Sequence, residues 1–307
     1  MVTLLKKKIR SASNVLVDLF FKSIFPACQK IGFHFTRNNY YQPIPDTRML
    51  KEILWEKHSS LIGIDINEKE QLKYLELFSL RYKNEYDSFL AKYKGVPHEY
   101  ILNSSFDSVD AEILYCMIRH FIPGKIIEVG SGYSTYLSAQ AILKNNEEGN
   151  PCKLIAIEPY PNEIIRRGFP GLSELIPNKV EEIPLSQFES LAENDILFID
   201  SSHVLKIGSD VQYEYLEILP RLKKGVIIHI HDIFMPAEYP KKWVLKDWRF
   251  FNEQYLLQAL LMFNDTFKII WAGSYMHIYH SDKLGKAFGS YNKVKKWPGS
   301  IWLKKIK

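Results

Sequence analysis

The sequence predicts an α/β protein whose main domain is a doubly wound, mostly parallel sheet with helices on both faces. From about residue 107, short apolar segments alternate with longer helical segments, which is typical of strands joined by crossover helices. Polar or glycine-rich residues follow several of the apolar segments, at the strand ends where such sheets bind ligands. The 307 residues, 46% of them hydrophobic, can bury one large core or a core with a smaller satellite.

The elements of this domain can be predicted in chain order. The predicted helices are 109–121, 135–143, 211–222 and 253–263. The predicted strands are Lys125–Val129, Lys153–Ile157, Ile196–Ile199, 226–230, 268–271 and 276–279. Because Ala272, Gly273 and Ser274 separate the last two strands, we expect those strands to form an antiparallel terminal hairpin.

The chain divides into three parts by pattern. Residues 1–106 lack strand-like alternation and predict a helical region, with its longest helix over 68–93, that can cap a substrate. Residues 107–282 form the predicted ligand-binding domain. Residues 283–307 are rich in lysine and predict a basic tail.

The apolar stretch between residues 15 and 25 resembles a signal peptide or a membrane anchor. Asp18 and Lys22 interrupt it, and it is shorter than the roughly 20 apolar residues that span a bilayer. We therefore expect an amphipathic helix, either packed on the protein body or lying on a membrane surface. The expected location is the cytoplasm, with peripheral contact to the inner membrane as the alternative.

Charge and cysteine content exclude several classes. The net charge of +5 is small and diffuse, so nucleic acid is not an expected partner. Cys28, Cys116 and Cys152 are widely spaced without a CxxC pair, which argues against a disulfide framework and a cysteine zinc site. The sequence leaves open whether the chain forms a homo-oligomer.

The glycine loop after the first strand predicts a cofactor site. Gly130, Ser131, Gly132 and Ser134 follow the strand that contains Glu128, and glycines allow a ligand to approach the backbone. A third glycine is missing, so the dinucleotide fingerprint fails. A carboxylate at this strand end repels a pyrophosphate and attracts a cationic sulfonium and amino group. The alternative is a Glu128 carboxylate that is satisfied by nearby backbone donors.

Glu158, at the end of the second strand, is the predicted ribose residue. A carboxylate at this position can accept hydrogen bonds from both ribose hydroxyls, although an acid there would also suit a nicotinamide cofactor. Glu181, Glu182 and Pro184 are candidates for the border of the adenine pocket.

Four motifs occur in order: Glu-Val-Gly-Ser-Gly-Tyr-Ser-Thr, Ile-Glu-Pro, Phe-Ile-Asp-Ser-Ser-His and His-Ile-His-Asp. They resemble the motifs of class I S-adenosylmethionine-dependent methyltransferases over about residues 107–280, in particular the bacterial group of macrocin O-methyltransferase-like and cephalosporin hydroxylase-like proteins. The resemblance implies a Rossmann-like, seven-stranded methyltransferase sheet and S-adenosylmethionine as cofactor, bound by Glu128, Gly130, Ser131, Gly132, Ser134, Glu158 and Asp200. The 41–46 and 252–255 segments resemble features of a branch that is often associated with surface glycan genes.

Polar residues cluster after the next two strands. Asp200 and His203 follow one strand, and His231 and Asp232 end its neighbour, so we expect these side chains to meet near the methyl group. The domain is also similar to catechol O-methyltransferase, and this implies a metal at Asp200, His231 and Asp232. An imidazole suits manganese, iron or zinc better than magnesium.

Without a metal, His203 or His231 is the predicted general base, oriented by Asp200 or Asp232, since imidazole titrates near neutral pH. His229 is predicted to be a buried, hydrogen-bonded histidine. The aromatic loop after residue 232 is predicted to supply the walls of the acceptor pocket. These wall residues are Phe234, Met235, Tyr239, Trp243 and Trp248.

The predicted function is O-methylation of a hydroxyl on a sugar, a glycan or another small metabolite. The alternatives are a metal-dependent hydroxylase on the same fold and a catalytically silent adenosyl-binding module. A nicotinamide dehydrogenase is disfavoured by Glu128 and by the missing third glycine.

Overall fold

The computed structural model describes residues 24–36, 38–92 and 106–307, together with Phe20 and Lys22. The chain forms two compact units, Met1–Leu54 and Trp55–Lys307. The described part of the first unit contains a helical stretch at 24–30 and a short 3-10 helix at Thr47–Met49. The Asp46 side chain caps this 3-10 helix by accepting a hydrogen bond from the backbone N–H of Arg48.

The second unit is built on a seven-stranded sheet with the strand order β3-β2-β1-β4-β5-β7-β6. The strands are β1 Lys125–Val129, β2 Lys153–Ile157, β3 Glu174–Ile176, β4 Ile196–Ile199, β5 Ile227–Ile230, β6 Phe267–Ala272 and β7 Ile301–Lys305. Strands β1 to β5 pair in parallel, whereas β7 is antiparallel to both β5 and β6. This arrangement confirms the predicted methyltransferase sheet with an antiparallel end.

Helices precede, connect and follow the strands. They are α1 Ile53–Glu56, α2 Glu68–Arg81, α3 Lys83–Lys92, α4 Asp110–Phe121, α5 Tyr133–Glu147, α6 Glu163–Arg167, α7 Leu185–Glu189, α8 Asp210–Tyr213, α9 Lys241–Leu245, α10 Glu253–Leu261 and α11 Gly273–Ala287. A π-helical turn, Glu214–Ile218, and a final turn, Leu219–Arg221, extend α8. The predicted 68–93 helix is two helices, because it breaks at Tyr82, and residue 93 lies outside the described part.

Strand β4 is apolar throughout because both faces of the sheet are covered there. In β4, Ile196 and Phe198 belong to one hydrophobic cluster, and Leu197 and Ile199 belong to the cluster on the other face. All four side chains have 0% exposure. This burial on two sides explains why the strands read as continuous apolar runs.

The second strand of the terminal hairpin was predicted wrongly. Residues 276–279 lie inside α11, and the strand that pairs with β6 is β7, within the 283–307 segment predicted as a tail. Short apolar runs fit either a helix or a strand, and lysines obscure β7. The Lys305 amine is accommodated at the end of the α8 extension, where it donates to the carbonyls of Leu219 and Pro220.

Within the described ranges, no helix is both long enough and apolar enough to cross a membrane. The amphipathic helix predicted between residues 15 and 25 lies mostly outside those ranges. Its predicted packing or membrane contact therefore stays a prediction.

Candidate functional site

The loop between β1 and α5 lies where the carboxyl ends of three strands meet. Gly130 has a φ of +80°, and a Cβ there would lie 1.9 Å from the Asp200 carbonyl oxygen. The Gly130 amide donates to the Ile157 carbonyl at 3.0 Å, and the Asp200 amide donates to the Val129 carbonyl at 2.9 Å. Both the backbone angle and the close approach require glycine at position 130.

Glu128 lies beneath this loop. Its side chain has 0% exposure, and Oε1 accepts a 2.5 Å hydrogen bond from the Ser134 hydroxyl. Burial raises the pKa of Glu128 to about 8, although the Ser134 hydrogen bond opposes this rise. Among the described residues, Oε2 has no hydrogen-bond partner. The donor to this carboxylate is the Ser134 hydroxyl rather than the backbone, and the predicted contact of Glu128 with a cationic cofactor stays a prediction.

A cavity of about 410 Å³ opens beside the loop. Its lining includes Gly130, Glu158, Glu181 and Asp200 among the predicted residues. The predicted residues absent from the lining are Glu128, Ser131, Gly132, Ser134, Glu182 and Pro184. Residues that the sequence analysis missed also line it, namely Lys179, Lys206, Ser209 and Asp210.

Glu158 is held by the backbone at the cavity wall. One carboxylate oxygen accepts from the Tyr160 amide at 2.7 Å, and the other accepts from the Ser131 amide at 3.2 Å. Because a carboxylate has about four acceptor sites, Glu158 can accept further hydrogen bonds from a ligand.

His203 is enclosed by carboxylates on both sides of its ring. Nδ1 lies 2.8 Å from an oxygen of Glu253, whose side chain has 0% exposure. Nε2 lies 3.2 Å from Asp200 Oδ1 and 3.4 Å from Asp232 Oδ2. The structure thus brings His203, Asp200 and Asp232 together as predicted. Glu253 was missed because it follows fifty residues later in the chain.

His231 joins the same cluster from β5. Its Nδ1 lies 3.4 Å from Asp200 Oδ1 and 3.6 Å from Asp232 Oδ1. Its Nε2 lies 3.9 Å from Asp110 Oδ2, at the start of α4. Asp110 also accepts from the Gly299 amide at 2.8 Å, so it links α4 to the segment before β7.

The carboxylates favour the protonated form of both imidazoles. Burial alone would lower the pKa of His203, but the hydrogen bonds to Asp200 and Glu253 raise it well above its ordinary value. Burial likewise lowers the pKa of His231, and the charges of Asp200 and Asp232 reverse this effect and raise it to about 9. A general base must be unprotonated before it acts. The raised pKa values disfavour His203 and His231 as the base, and their assignment to this role stays a prediction.

The same contacts argue against the predicted metal site. Both ring nitrogens of His203 face carboxylate oxygens, and Asp232 directs one oxygen at His203 and the other at His231. A metal ligand needs an unprotonated ring nitrogen, and the donors must converge on one point. In the described ranges, no group of three or more His, Cys, Asp or Glu side chains is arranged to hold a metal ion. Asp200, His231 and Asp232 do not fit the metal.

His229 is buried, but the predicted hydrogen bonds are missing. Its ring stacks on Phe198 at a centroid distance of 3.9 Å and meets Trp302 at 4.7 Å. Neither ring nitrogen has a hydrogen-bond partner among the described residues, and burial lowers the pKa of His229 well below its ordinary value. His229 is thus a neutral packing residue.

A second cavity, of about 160 Å³, lies on the other side of the polar cluster. Its lining includes Asp110, His231, Asp232, Trp243 and Trp297. The Trp297 indole N–H donates to Ser274 Oγ at 3.0 Å, which fixes a side chain that is still 47% exposed. Asp110 and Trp297 were missed because the sequence gives no signal that α4 and residues 295–299 meet.

The predicted aromatic walls have different positions. Phe234 and Trp243 line the second cavity. Met235 and Tyr239 are buried, whereas Trp248 is 70% exposed and lines neither cavity.

Comparison with known proteins identifies the family. Residues 127–233 match the family model of a methyltransferase domain. An uncharacterized protein of Archaeoglobus fulgidus is 32% identical over 181 residues, which cover 55% of this chain and 78% of that protein.

Two solved structures are also similar, with low scores. CmcI with Mg-SAM has 14% identity and a TM-score of 0.35, covering 66% of this chain and 73% of that one. The O-methyltransferase from Bacillus cereus in complex with SAH has 13% identity and a TM-score of 0.36, covering 78% and 91%. Since the matched methyltransferase domain begins on β1 and spans both the glycine loop and the polar cluster, the chain belongs to the class I S-adenosylmethionine-dependent methyltransferase family.

Proposed function

We propose that the chain transfers a methyl group from S-adenosylmethionine to a hydroxyl of a sugar or another small metabolite. The observation that carries this proposal is the position of the polar cluster. Asp200 lines the 410 Å³ cavity, and Asp232 lines the 160 Å³ cavity. A cofactor in the first cavity and an acceptor in the second would meet at this cluster.

The charge of the cluster favours a cationic cofactor. Four carboxyl groups contact the two imidazoles in this cluster, so acidic groups are in excess. A positively charged sulfonium reduces this excess, whereas a pyrophosphate increases it. Glu158 is available for the ribose hydroxyls. A Cβ on Gly132 would meet no protein atom within 4 Å, which leaves room for a ligand beside the loop.

The residues of the chain would supply orientation and a proton acceptor. S-adenosylmethionine supplies a methyl group on a sulfonium, which is a good leaving group. Among the carboxylates that line the second cavity, Asp232 also contacts His203. We assign to Asp232 the proton of the acceptor hydroxyl as the new O–CH₃ bond forms and the S–CH₃ bond breaks. Burial raises the pKa of Asp232, which makes it a better proton acceptor, while His203 and His231 hold it in place.

The lining of the second cavity supports a hydroxylated acceptor. The Asp110 and Asp232 carboxylates can accept hydrogen bonds from hydroxyl groups, and Trp297 offers a fixed aromatic surface to an apolar ring face. A monosaccharide ring combines these two features.

Cofactor binding is the first test. Isothermal calorimetry of the metal-stripped protein should show binding of S-adenosylmethionine and S-adenosylhomocysteine but not of NAD. Glu158→Ala should weaken this binding by at least about tenfold, since it removes the ribose acceptor. The matched control is Glu189→Ala, an exposed carboxylate outside both cavities. Absence of adenosyl binding would refute the proposal.

Turnover is the second test. S-adenosylhomocysteine formation is measured with a panel of monosaccharides, methyl glycosides and catechol, with and without EDTA. We expect turnover of a sugar in the presence of EDTA and its loss in Asp232→Asn. Turnover that needs added manganese or magnesium would restore the metal site at Asp200, His231 and Asp232. Iron- and oxygen-dependent hydroxylation without methyl transfer would replace the proposal with the hydroxylase alternative.

A further inference from the structure

We propose that Glu253 is a positioning residue for the methyl transfer, which acts by holding the imidazole of His203 between Asp200 and Asp232. This inference rests on the proposed function and adds a residue that none of the motifs includes. Glu253 lines neither cavity, so it reaches the reacting groups only through His203.

The burial of Glu253 requires an explanation. Its carboxylate has 0% exposure, and a buried carboxylate is costly unless it is paired. The partner is His203, with 2.8 Å between Glu253 Oε2 and Nδ1. His203 is itself only 6% exposed, so little water screens this contact.

Glu253 does not cap its helix. It is the first residue of α10, and the N-cap residue, Asn252, makes no side-chain capping hydrogen bond. The Asn252 side chain instead accepts from the Leu205 amide at 2.6 Å. Side chains that would ordinarily stabilise the first turn of a helix are thus directed to the loop after β4.

The backbone of the same loop is held in a strained conformation. His203 has a φ of +59°, in the left-handed region that favours glycine. Its carbonyl accepts from the Asn252 amide at 3.1 Å and from the Glu253 amide at 3.3 Å. Asp232, the other partner of the ring, also has a positive φ, +54°. Two residues with a positive φ at one site indicate that the surrounding contacts hold this backbone geometry, which is common at functional sites.

The consequence is a fixed direction for the outer ring nitrogen. With Nδ1–H donated to Glu253, Nε2–H points at Asp200 and Asp232, the two carboxylates that line the cofactor and acceptor cavities. Without Glu253, the ring can rotate and the two carboxylates lose a common partner. Asp232 would then no longer be held at the acceptor hydroxyl.

The test compares Glu253→Gln with Tyr255→Phe. Glutamine keeps the size of the side chain and an acceptor for Nδ1–H but removes the charge. Tyr255→Phe is the matched control on the same helix, since it removes the hydrogen bond to Glu238 at 2.6 Å and leaves His203 untouched. The measurements are kcat with the best acceptor of the panel, the Kd of S-adenosylmethionine and the ¹⁵N NMR signals of the His203 ring.

We expect Glu253→Gln to lower kcat by about 10- to 100-fold, with the Kd of S-adenosylmethionine within about twofold of wild type. The His203 ring signals should shift in this variant and not in Tyr255→Phe, whose kcat stays within about twofold of wild type. A purely structural role would not separate kcat from cofactor binding in this way.

Two results would overturn the inference. One is a wild-type kcat in Glu253→Gln; the other is an equal loss of kcat in Tyr255→Phe. If wild type itself fails to bind S-adenosylmethionine, the proposed function fails first, and this role fails with it. Normal cofactor binding with a wild-type kcat in Glu253→Gln removes only the role of Glu253.

Discussion

Glu128 shows how a single residue can make stability depend on pH. Its folded-state pKa of about 8 lies above its ordinary value of 4.5, so the folded protein holds this proton more tightly than the unfolded chain does. Wild type therefore loses stability as pH rises from about 4.5 to about 8. Such a gap corresponds to on the order of 5 kcal/mol.

Glu128→Gln should remove this loss, because glutamine keeps an acceptor for Ser134 and cannot ionise. We expect similar Tm values for the two proteins at about pH 4, where Glu128 is mostly protonated in both the folded and the unfolded state, and a higher Tm for the variant at about pH 9, both without cofactor. Differential scanning calorimetry across this range measures the difference. Parallel Tm profiles would show that Glu128 does not titrate in this window. The other shifted groups are present in both proteins and cancel.

Site residues that lie at the ends of strands can be predicted from the sequence. Site residues that depend on contacts between distant segments of the chain cannot. Gly130, Glu158 and Asp200 could be found because the carboxyl ends of parallel strands meet at one edge. Glu253 and Asp110 could not, since their contacts depend on how helices α10 and α4 pack. The same reason explains why His203 and His231 were predicted as bases. The carboxylates that raise the pKa values of these histidines come from several separate segments, and the sequence does not show that they meet.

The loop between β1 and α5 contains two glycines with different physical roles. Gly130 is required by a positive φ and by the Asp200 carbonyl oxygen, which would lie 1.9 Å from a Cβ at this position. Gly132 has an extended φ and open space around its Cβ position. The fold requires the first glycine, whereas the protein leaves space for a side chain at the second.

Alanine substitution separates these roles. Gly130→Ala should lower the free energy of unfolding by about 2 kcal/mol or more, because the loop must move away from β4. Gly132→Ala should keep the Tm within about 2 °C of wild type and weaken S-adenosylmethionine binding at least about tenfold. Urea denaturation and calorimetry provide the two readouts. Unchanged affinity in Gly132→Ala would place the cofactor away from this loop.

At the scale of elements, the parallel strands were predictable and the end of the sheet was not. Strands β1, β2 and β4 were predicted with their observed bounds because apolar runs of this length between polar turns are typical of buried strands. The 276–279 segment has a similar composition, yet it lies in α11, where Met276 and Leu284 pack into the core. Only the pairing of β6 with β7 distinguishes the two outcomes, and the paired residues are 29 to 38 positions apart in the chain.

In the second unit as a whole, residues 295–307 connect the sheet to the site. Residues 295–297 and Gly299 line the 160 Å³ cavity, and β7 then enters the sheet between β5 and β6. Asp110 fastens this segment to α4 through the Gly299 and Ser300 amides. The segment that was predicted as a tail from its lysines thus contributes both a wall of the 160 Å³ cavity and the strand that joins β6 to the rest of the sheet.

Removal of β7 should therefore prevent the second unit from folding. A chain that ends at residue 299 loses Ile301, Trp302 and Leu303, which are at most 2% exposed, and leaves β6 without its sheet neighbour. We expect loss of the cooperative unfolding transition in circular dichroism. Trp302→Ala, a milder change, should cost about 3 to 5 kcal/mol in urea denaturation.

Deletion of Lys307 alone is the control for this truncation. Among the described residues, its exposed side chain pairs only with the exposed Asp265. Ion pairs between exposed side chains contribute little to the free energy of unfolding. Its Tm should stay within about 2 °C of the full chain. If the chain ending at residue 299 kept the Tm and the S-adenosylmethionine affinity of the full chain, residues 300–307 would be a dispensable tail. Loss of both properties, with Lys307 deletion neutral, would make β7 the element on which both the sheet and cofactor binding depend.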